Sequence, residues 1–528
     1  MIRELSKEKK PEVEGPEVEP ADFVERVVEA YRRGEASRDL PVDADAARSL
    51  ITPGTGALRD FSYIAPEIPL FDPDKCVGCM DCVTGCPDTA ILAKVLPEAT
   101  LERELAKVED AKEREHLRRQ FTETSNYHAF RVKAGQEGGL FGIFIDPTKC
   151  KGCGECVEVC GVREALHMVR KNPSNLRRYR SDIAFFKTLP DTPEEFVSEK
   201  ALADMMLLDR SRLYVGGAGS CMGCGEATAI RMLLAATGFV YGRENIGIVA
   251  ATGCNTVYGS TYPYNPYLVS WTNSLFENAP ADAMGIRLRW DQRGWQHKRL
   301  WALGGDGAMF DIGFGALSRL LASGMDIKVL VLDTQVYSNT GGQASTASLT
   351  GQDAKMASYG RLIHGKQERR KELAVIAMMH ANTFAAQAIC SEPNHFYRCI
   401  MAANEFPGPA VVSVYTPCMP EHEIGDSMAA YQAKLARDSR AFPVFIYDPR
   451  RGDTMRERLD LRGNPMVEED WYRHPGTGEP IDFIYFARTE GRFAKSFDAE
   501  GRPDETLLAA QADRLANWHL LQELAGIR

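Results

Sequence analysis

Two cysteine runs constrain this chain more than any other feature. The first, CVGCMDCVTGCP, sets Cys76, Cys79, Cys82 and Cys86 at the spacing C-x-x-C-x-x-C-x-x-x-C; the second, CKGCGECVEVCG, repeats it at Cys150, Cys153, Cys156 and Cys160. Three thiolates so close in sequence grip one iron–sulfur cube, whereas the fourth points away and ligates the cube of the other run. The spacing therefore predicts two [4Fe-4S] clusters, one on Cys76, Cys79, Cys82 and Cys160 and one on Cys150, Cys153, Cys156 and Cys86. Paired C-x-x-C motifs also build zinc ribbons, but two complete four-cysteine runs are more than a ribbon needs. One departure stands out: Pro87 follows Cys86, while Gly161 follows Cys160.

The chain has 528 residues, 44% hydrophobic and 26% charged, an ordinary globular composition with room for about three domains. Its opening, MIRELSKEKKPEVEGPEVEP, is charged and Pro-rich, without the apolar core of an export signal, and reads as a mobile tail or extended arm. No stretch approaches the roughly 20 apolar residues of a membrane helix. A cytoplasmic protein is expected, with no membrane contact. The formal net charge of −10 argues against a nucleic-acid partner, which would need a concentrated positive field. Fourteen cysteines in a reducing compartment are expected as metal ligands rather than disulfides.

Residues 1–60 read as an arm with one helix around FVERVVEAYRRGEA and a linker, packing on another subunit or domain. Residues 61–170 hold the cysteine runs in an α+β unit resembling a bacterial 2[4Fe-4S] ferredoxin, with a charged, solvent-facing helical insertion at about 95–140. Residues 171–210 read as a linker and 431–528 as a wrapping tail. Between them, at 211–430, short apolar runs (IGIVA, RLWALGG, IKVLVLD, PAVVSVY) alternate with helical segments. That alternation predicts an α/β domain with a mostly parallel, doubly wound sheet.

Ligands of open parallel sheets gather at the carboxyl ends of the strands. Here those ends carry Gly253-Cys254, Gly305-Asp306-Gly307, the loop Thr334 to Asn339, and Thr416-Pro417-Cys418, all expected on one edge. Gly-Asp-Gly followed by an Asn-bearing loop after the next strand suits a diphosphate held through a divalent metal: the glycines let amides approach phosphate, and Asp306 offers a hard carboxylate for Mg²⁺. Cys221-x-x-Cys224 in SCMGCGEA is by spacing half a metal site. Cys390 and Cys399 fit no pattern and are expected to be buried thiols.

SCMGCGEA, ATGCNTVYGSTYP, NSLFENA, GGDGAMFDIGFGALSRLLASGMDIKVLVLDTQVYSNTGGQAS and YTPCMPEH closely resemble the thiamine-diphosphate domain of pyruvate:ferredoxin oxidoreductase, and IAPEIPLFDPDKCVGCMDC resembles its ferredoxin domain. The resemblance spans about residues 60 to 450 and implies the C-terminal half of the single-chain enzyme or an equivalent fused subunit. It implies a third [4Fe-4S] cluster on Cys221, Cys224, Cys254 and Cys418, and Mg²⁺ held by Asp306, Thr334 and the Val336 carbonyl. Gly305, Gly307, Ala308 and the loop Thr334, Gln335, Val336, Tyr337, Ser338 and Asn339 would line thiamine diphosphate. Glu226 and Cys254 would touch the cofactor, and Asn339 and Glu226 would take part in catalysis.

The implied reaction is pyruvate, coenzyme A and oxidised ferredoxin giving acetyl-CoA, CO₂ and reduced ferredoxin, reversibly. The same chemistry on 2-oxoglutarate, another 2-oxo acid or oxalate is the nearest alternative. A non-catalytic polyferredoxin subunit is the alternative of another class, against which Asp306, Thr334 and Asn339 speak. The family's pyrimidine-activating glutamate belongs to a domain this chain does not include. An obligate partner subunit is therefore expected to bring it, with further substrate and coenzyme A contacts, in a dimer of such heteromers served by an external ferredoxin or flavodoxin.

Overall fold

A computed structural model describes residues 20–39, 51–357 and 364–528; the first nineteen residues, expected as a mobile tail, lie outside the described residues. Five strands build the cysteine-rich unit: β1 (Glu67–Phe71), β2 (Ile91–Pro97), β3 (Phe121–Glu123), β4 (Gly139–Ile145) and β5 (Leu166–Arg170). β1 pairs antiparallel with β5, setting Phe71 opposite Leu166, and β2 pairs antiparallel with β4, setting Ile91 opposite Ile145. The first cysteine run joins β1 to β2 and the second joins β4 to β5, so these two pairings lay the runs side by side. The short helices that end them, Asp81–Gly85 and Glu155–Cys160, pack on each other.

The charged insertion is helical at Glu98–Leu105 and Ala111–Arg119 and adds β3 to the edge of β4. It is not wholly solvent-facing, because Leu101, Leu105 and Leu117 are buried against Leu96 and Phe144 of the sheet. The segment expected as a linker carries the helix Pro173–Thr188, capped by Asn172 in a capping box with Asn175. Its residues Ile183, Phe185 and Phe186 join the same cluster, so both segments cover a sheet face that would otherwise meet water.

The second unit is an eight-stranded sheet of order β13-β12-β10-β11-β9-β8-β6-β7. Its strands are β6 (Ile246–Ala251), β7 (Ser270–Ser274), β8 (Arg299–Gly305), β9 (Lys328–Asp333), β10 (Phe384–Ile389), β11 (Ala410–Tyr415), β12 (Phe445–Tyr447) and β13 (Leu459–Asp460). The six from β7 to β10 run parallel, and β12 and β13 extend the edge antiparallel. Every residue of β6, β9, β10 and β11 is buried, which requires helices on both faces. Alternation within each strand feeds two cores: Ile248, Leu303, Leu330 and Val412 face one, Val249, Ala302, Val329 and Val411 the other.

The tail therefore does more than wrap: β12 and β13 belong to the sheet, and the helix Glu505–Leu524 buries Trp518 and Leu521 in its second core. Short strands with no run of alternation left this invisible in the sequence. At the other end, the arm helix from Pro20 sets Phe23 and Tyr31 edge-on to the Tyr262 ring of the same chain, at 6.2 and 5.5 Å. The two units meet tightly: Thr89 donates to the Tyr214 carbonyl at 2.7 Å, and Arg231 donates to the Thr84 carbonyl at 2.7 Å. No helix among the described residues is long and apolar enough to cross a membrane.

Candidate active site

β11, β9, β8 and β6 are consecutive neighbours in the sheet, all parallel. Their carboxyl ends therefore fall along one edge in the order Cys418, Thr334, Asp306, Cys254. The helix Gly225–Tyr241 starts at the same edge and presents Glu226 in its first turn. A pocket there is lined by Glu226, Cys254, Gly305, Asp306, Gly307, Ala308, Val336, Tyr337, Ser338 and Asn339, joined by Thr252, Gly253, Phe276 and Thr340. Of the residues expected to line the cofactor, Thr334 and Gln335 are not among those lining the pocket, although the Thr334 hydroxyl touches Asp306, which is.

Asp306 is 1% exposed. The Thr334 hydroxyl lies 3.1 Å from its Oδ1 and 3.1 Å from the Val336 carbonyl oxygen. Octahedral Mg²⁺ with oxygen ligands at about 2.1 Å separates neighbouring oxygens by about 3 Å, so a carboxylate, a hydroxyl and a carbonyl already stand at the spacing of adjacent ligands. Burial, with Asp333 close by, holds the Asp306 carboxyl well above the usual carboxylate range, a penalty that a bound cation removes. Gly307 fits the cradle for a steric reason: a Cβ there would meet the Tyr337 ring at 2.5 Å.

Behind this loop lies a buried polar network that sequence reasoning missed. Gln335 takes a left-handed conformation at φ 60°, which costs a residue with a Cβ about 1–2 kcal/mol. Arg492 donates to the Gln335 Oε1 at 2.8 Å and to Gln352 Oε1 at 3.1 Å, and its Nε is held by Glu490 at 2.6 Å. The Gln335 carbonyl accepts from Gln352 Nε2 at 3.1 Å and from the Ser348 hydroxyl. His422 Nε2 lies 2.8 Å from the Thr334 carbonyl oxygen, Ser345 donates to Asp306, and Arg370 pairs with Asp333. These partners fix the backbone that aims Thr334 and Val336. His422, Glu490 and Arg492 come from beyond β11, where no spacing rule reaches them.

The thiols fall into three groups. Cys76, Cys79, Cys82 and Cys160 line one small apolar cavity with Phe71, Phe141 and Ile143. Burial foremost, then the nearby Cys76, Cys79 and Cys160, push the Cys82 thiol far up. Cys156 is raised by burial and then by Cys153, Cys150 and Cys86. Each first-run or second-run triplet thus has the fourth cysteine of the other run as its neighbour. In the third group Cys221, Cys224, Cys254 and Cys418 act on one another in the same way, with Glu226 among them. Burial outweighs the nearby Arg163, Lys171 and Lys151 and makes these grouped thiols costly as thiolates, and their gathering in fours fits a multi-iron group better than inert core. Among the described residues no group of three His, Cys, Asp or Glu side chains is arranged to hold a single metal ion. Cys390 and Cys399 are buried apart from these groups.

Glu226 links the third group to the pocket. It is 3% exposed, and burial raises its carboxyl to about 7 against a hydrogen bond from Tyr258 at 3.2 Å. Cys254 links them again, its sulfur 3.4 Å from the Ser338 hydroxyl of the loop.

Residues 251–414 match the family described as thiamine pyrophosphate enzyme, C-terminal TPP binding domain. Residues 68–92 and 143–163 each match a 4Fe-4S binding domain, and these ranges hold the two cysteine runs. A probable pyruvate-flavodoxin oxidoreductase of Escherichia coli is 28% identical over 85% of this chain and 41% of its own length. A pyruvate-flavodoxin oxidoreductase of Rhodospirillum rubrum is 26% identical over 96% of this chain and 45% of its own. A pyruvate:ferredoxin oxidoreductase of Moorella thermoacetica is 25% identical over 96% and 46%. The chain spans less than half the length of these curated relatives. A thiamine pyrophosphate-binding domain preceded by two 4Fe-4S binding motifs thus makes up much of this chain, which along most of its length is similar to pyruvate-flavodoxin and pyruvate:ferredoxin oxidoreductases.

Proposed function

We propose that this chain is the catalytic and electron-transfer part of a coenzyme A-acylating 2-oxo acid oxidoreductase that takes pyruvate and passes electrons to ferredoxin or flavodoxin, reversibly. The observation that carries this reading is the shared wall: Cys254 and Glu226 line the pocket that holds Asp306 and Asn339, and both stand among the third group of thiols. A cofactor in that pocket would sit against its first electron acceptor. Thiamine diphosphate supplies a carbanion that attacks the 2-oxo carbon and keeps the electrons left by decarboxylation.

Asp306, the Thr334 hydroxyl and the Val336 carbonyl would hold the Mg²⁺ that anchors the diphosphate, and Gly305, Gly307 and Ala308 admit its oxygens close to backbone amides. Asn339, exposed and lining the pocket, would donate to the incoming 2-oxo acid. Cys221, Cys224, Cys254 and Cys418 would hold a third [4Fe-4S] cluster, from which electrons would pass to the two ferredoxin-type groups.

The pyrimidine-activating glutamate would come from a partner subunit. Exposed Val257 and Ile312, each on a helix that carries a pocket residue, and Leu275, next to the pocket residue Phe276, would supply an apolar rim for such a partner. The purified chain alone should then have no decarboxylase activity. Reconstituted with its partner, it should reduce a one-electron acceptor only when pyruvate and coenzyme A are both present. Robust activity of the isolated chain, or a preference for another 2-oxo acid across a substrate panel, would refute this reading.

A further inference from the structure

Between the second and third thiol groups lies a buried ion pair that no sequence motif announces. Lys151 Nζ stands 2.7 Å from Asp88 Oδ1, both side chains being 4% exposed. The same ammonium donates to the Ser220 carbonyl at 2.7 Å and to its hydroxyl at 2.9 Å. Ser220 Oγ in turn donates to Asp88 at 3.3 Å. The Phe61 ring, 2% exposed, closes the site, with its centroid 5.1 Å from Lys151 Nζ. Lys151 follows Cys150, Asp88 lies two residues after Cys86, and Ser220 precedes Cys221. The ring of three residues thus spans the seam between the two units at the place where electrons would cross it.

Burying two charges is costly unless each is fully hydrogen-bonded, and a hydrophobic pair would hold the seam at least as well. A pair kept here has a use for its field. In a low-dielectric seam a fixed charge acts strongly on a neighbour whose own charge changes, and each cluster gains one negative charge when reduced. The pair is also oriented. The Lys151 ammonium reaches across the seam to the carbonyl and hydroxyl of Ser220, the residue before Cys221, while Asp88 stays on the segment of Cys86. The positive end is thus tied to the segment of the third group and the negative end to that of the second.

We propose that Lys151 and Asp88 form a charge bridge that tunes the passage of one electron between the cluster held by Cys221, Cys224, Cys254 and Cys418 and the cluster held by Cys150, Cys153, Cys156 and Cys86. This rests on the reading that these thiols hold [4Fe-4S] clusters. One electron would leave the third cluster and reduce the second; no bond or proton need move. Lys151 raises the potential of the third cluster and Asp88 lowers that of the second. The bridge thereby retains the electron beside the thiamine pocket until the outer cluster is free to take it. Both are positioning residues, acting through the clusters and touching no substrate.

The test is a redox titration of the anaerobically reconstituted full chain, followed by electron paramagnetic resonance, with the third cluster identified by its perturbation in Cys418→Ser. Lys151→Met should lower midpoint potentials, chiefly of the third cluster. Asp88→Asn should raise them, chiefly of the second, while Lys151→Arg should stay near wild type. Shifts of one common sign, or no shift in variants that keep their iron, would overturn the charge bridge. Should Lys151→Met fail to assemble, the sign and location of the Asp88→Asn shift decide the same point. A wild-type chain without [4Fe-4S] signals would instead overturn the underlying cluster reading.

Discussion

His395 isolates one residue-scale consequence of burial that is independent of any cofactor. It sits 5% exposed on the helix Pro393–Glu405, its Nδ1 3.7 Å from Cys399 Sγ and its Nε2 without a hydrogen-bond partner. Burial, aided by Arg398, lowers its pKa from 6.5 to about 4. Between those values the unfolded chain binds a proton that the folded chain refuses, so stability falls as pH falls through this window. The loss amounts to about 3 kcal/mol once the acid limb is complete. In His395→Phe the fall of the unfolding temperature between pH 6.5 and 4 should be visibly shallower than in wild type; an unchanged slope would assign acid sensitivity to other groups.

Residues were also the scale at which the sequence was most legible. The cysteine runs could be read because cluster ligation fixes a spacing, and Asp306, Thr334 and Cys254 because parallel strands deliver their carboxyl ends to one edge. Arg492, Glu490, Ser345 and His422 could not. Each acts through a contact formed only after distant segments pack, and nothing in its local sequence differs from that of an ordinary polar residue.

At the scale of single elements, two glycines with opposite surroundings test whether the cradle or helix propensity governs. Gly285 lies in the helix Ala279–Gln292, and no atom comes within 4 Å of the point where a Cβ would stand. Gly285→Ala should therefore stabilise the chain by about 0.5–1 kcal/mol through the lost entropy of the unfolded state. Gly307→Ala would drive a Cβ into the Tyr337 ring at 2.5 Å; thermal unfolding should change little in comparison with a clear loss of bound thiamine diphosphate. Retained cofactor in Gly307→Ala would separate that glycine from the diphosphate cradle. Elements also account for the main differences from expectation. The helix Pro173–Thr188 carried its Asn-Pro start and its apolar Ile-x-Phe-Phe in plain view, yet the polar composition around it read as a linker, whereas β12 and β13 are too short for periodicity to register.

Across the whole molecule, the C-terminal segment and the thiamine pocket form one mechanical unit. Arg492 reaches Gln335 across 157 positions of sequence, and so ties the tail to the loop that carries Thr334 and Val336. Removing such an outer support from a metal site typically costs about ten- to a hundredfold in affinity. Arg492→Met should weaken Mg²⁺-dependent binding of thiamine diphosphate by about that factor while leaving the ferredoxin-type clusters spectroscopically intact; unchanged cofactor affinity would reduce the tail to a stabilising role.

The same whole-molecule geometry sets Cys254 and Glu226 both in the pocket wall and among the third group of thiols, with the other two groups in the cysteine-rich unit. Its most direct test is the iron and acid-labile sulfide content of the full chain purified anaerobically. Three cubes require about twelve irons and twelve sulfides per chain. A value near eight would leave Cys221, Cys224, Cys254 and Cys418 without a cluster and break the link between cofactor and electron path, and zinc in place of iron would contradict the electron path altogether.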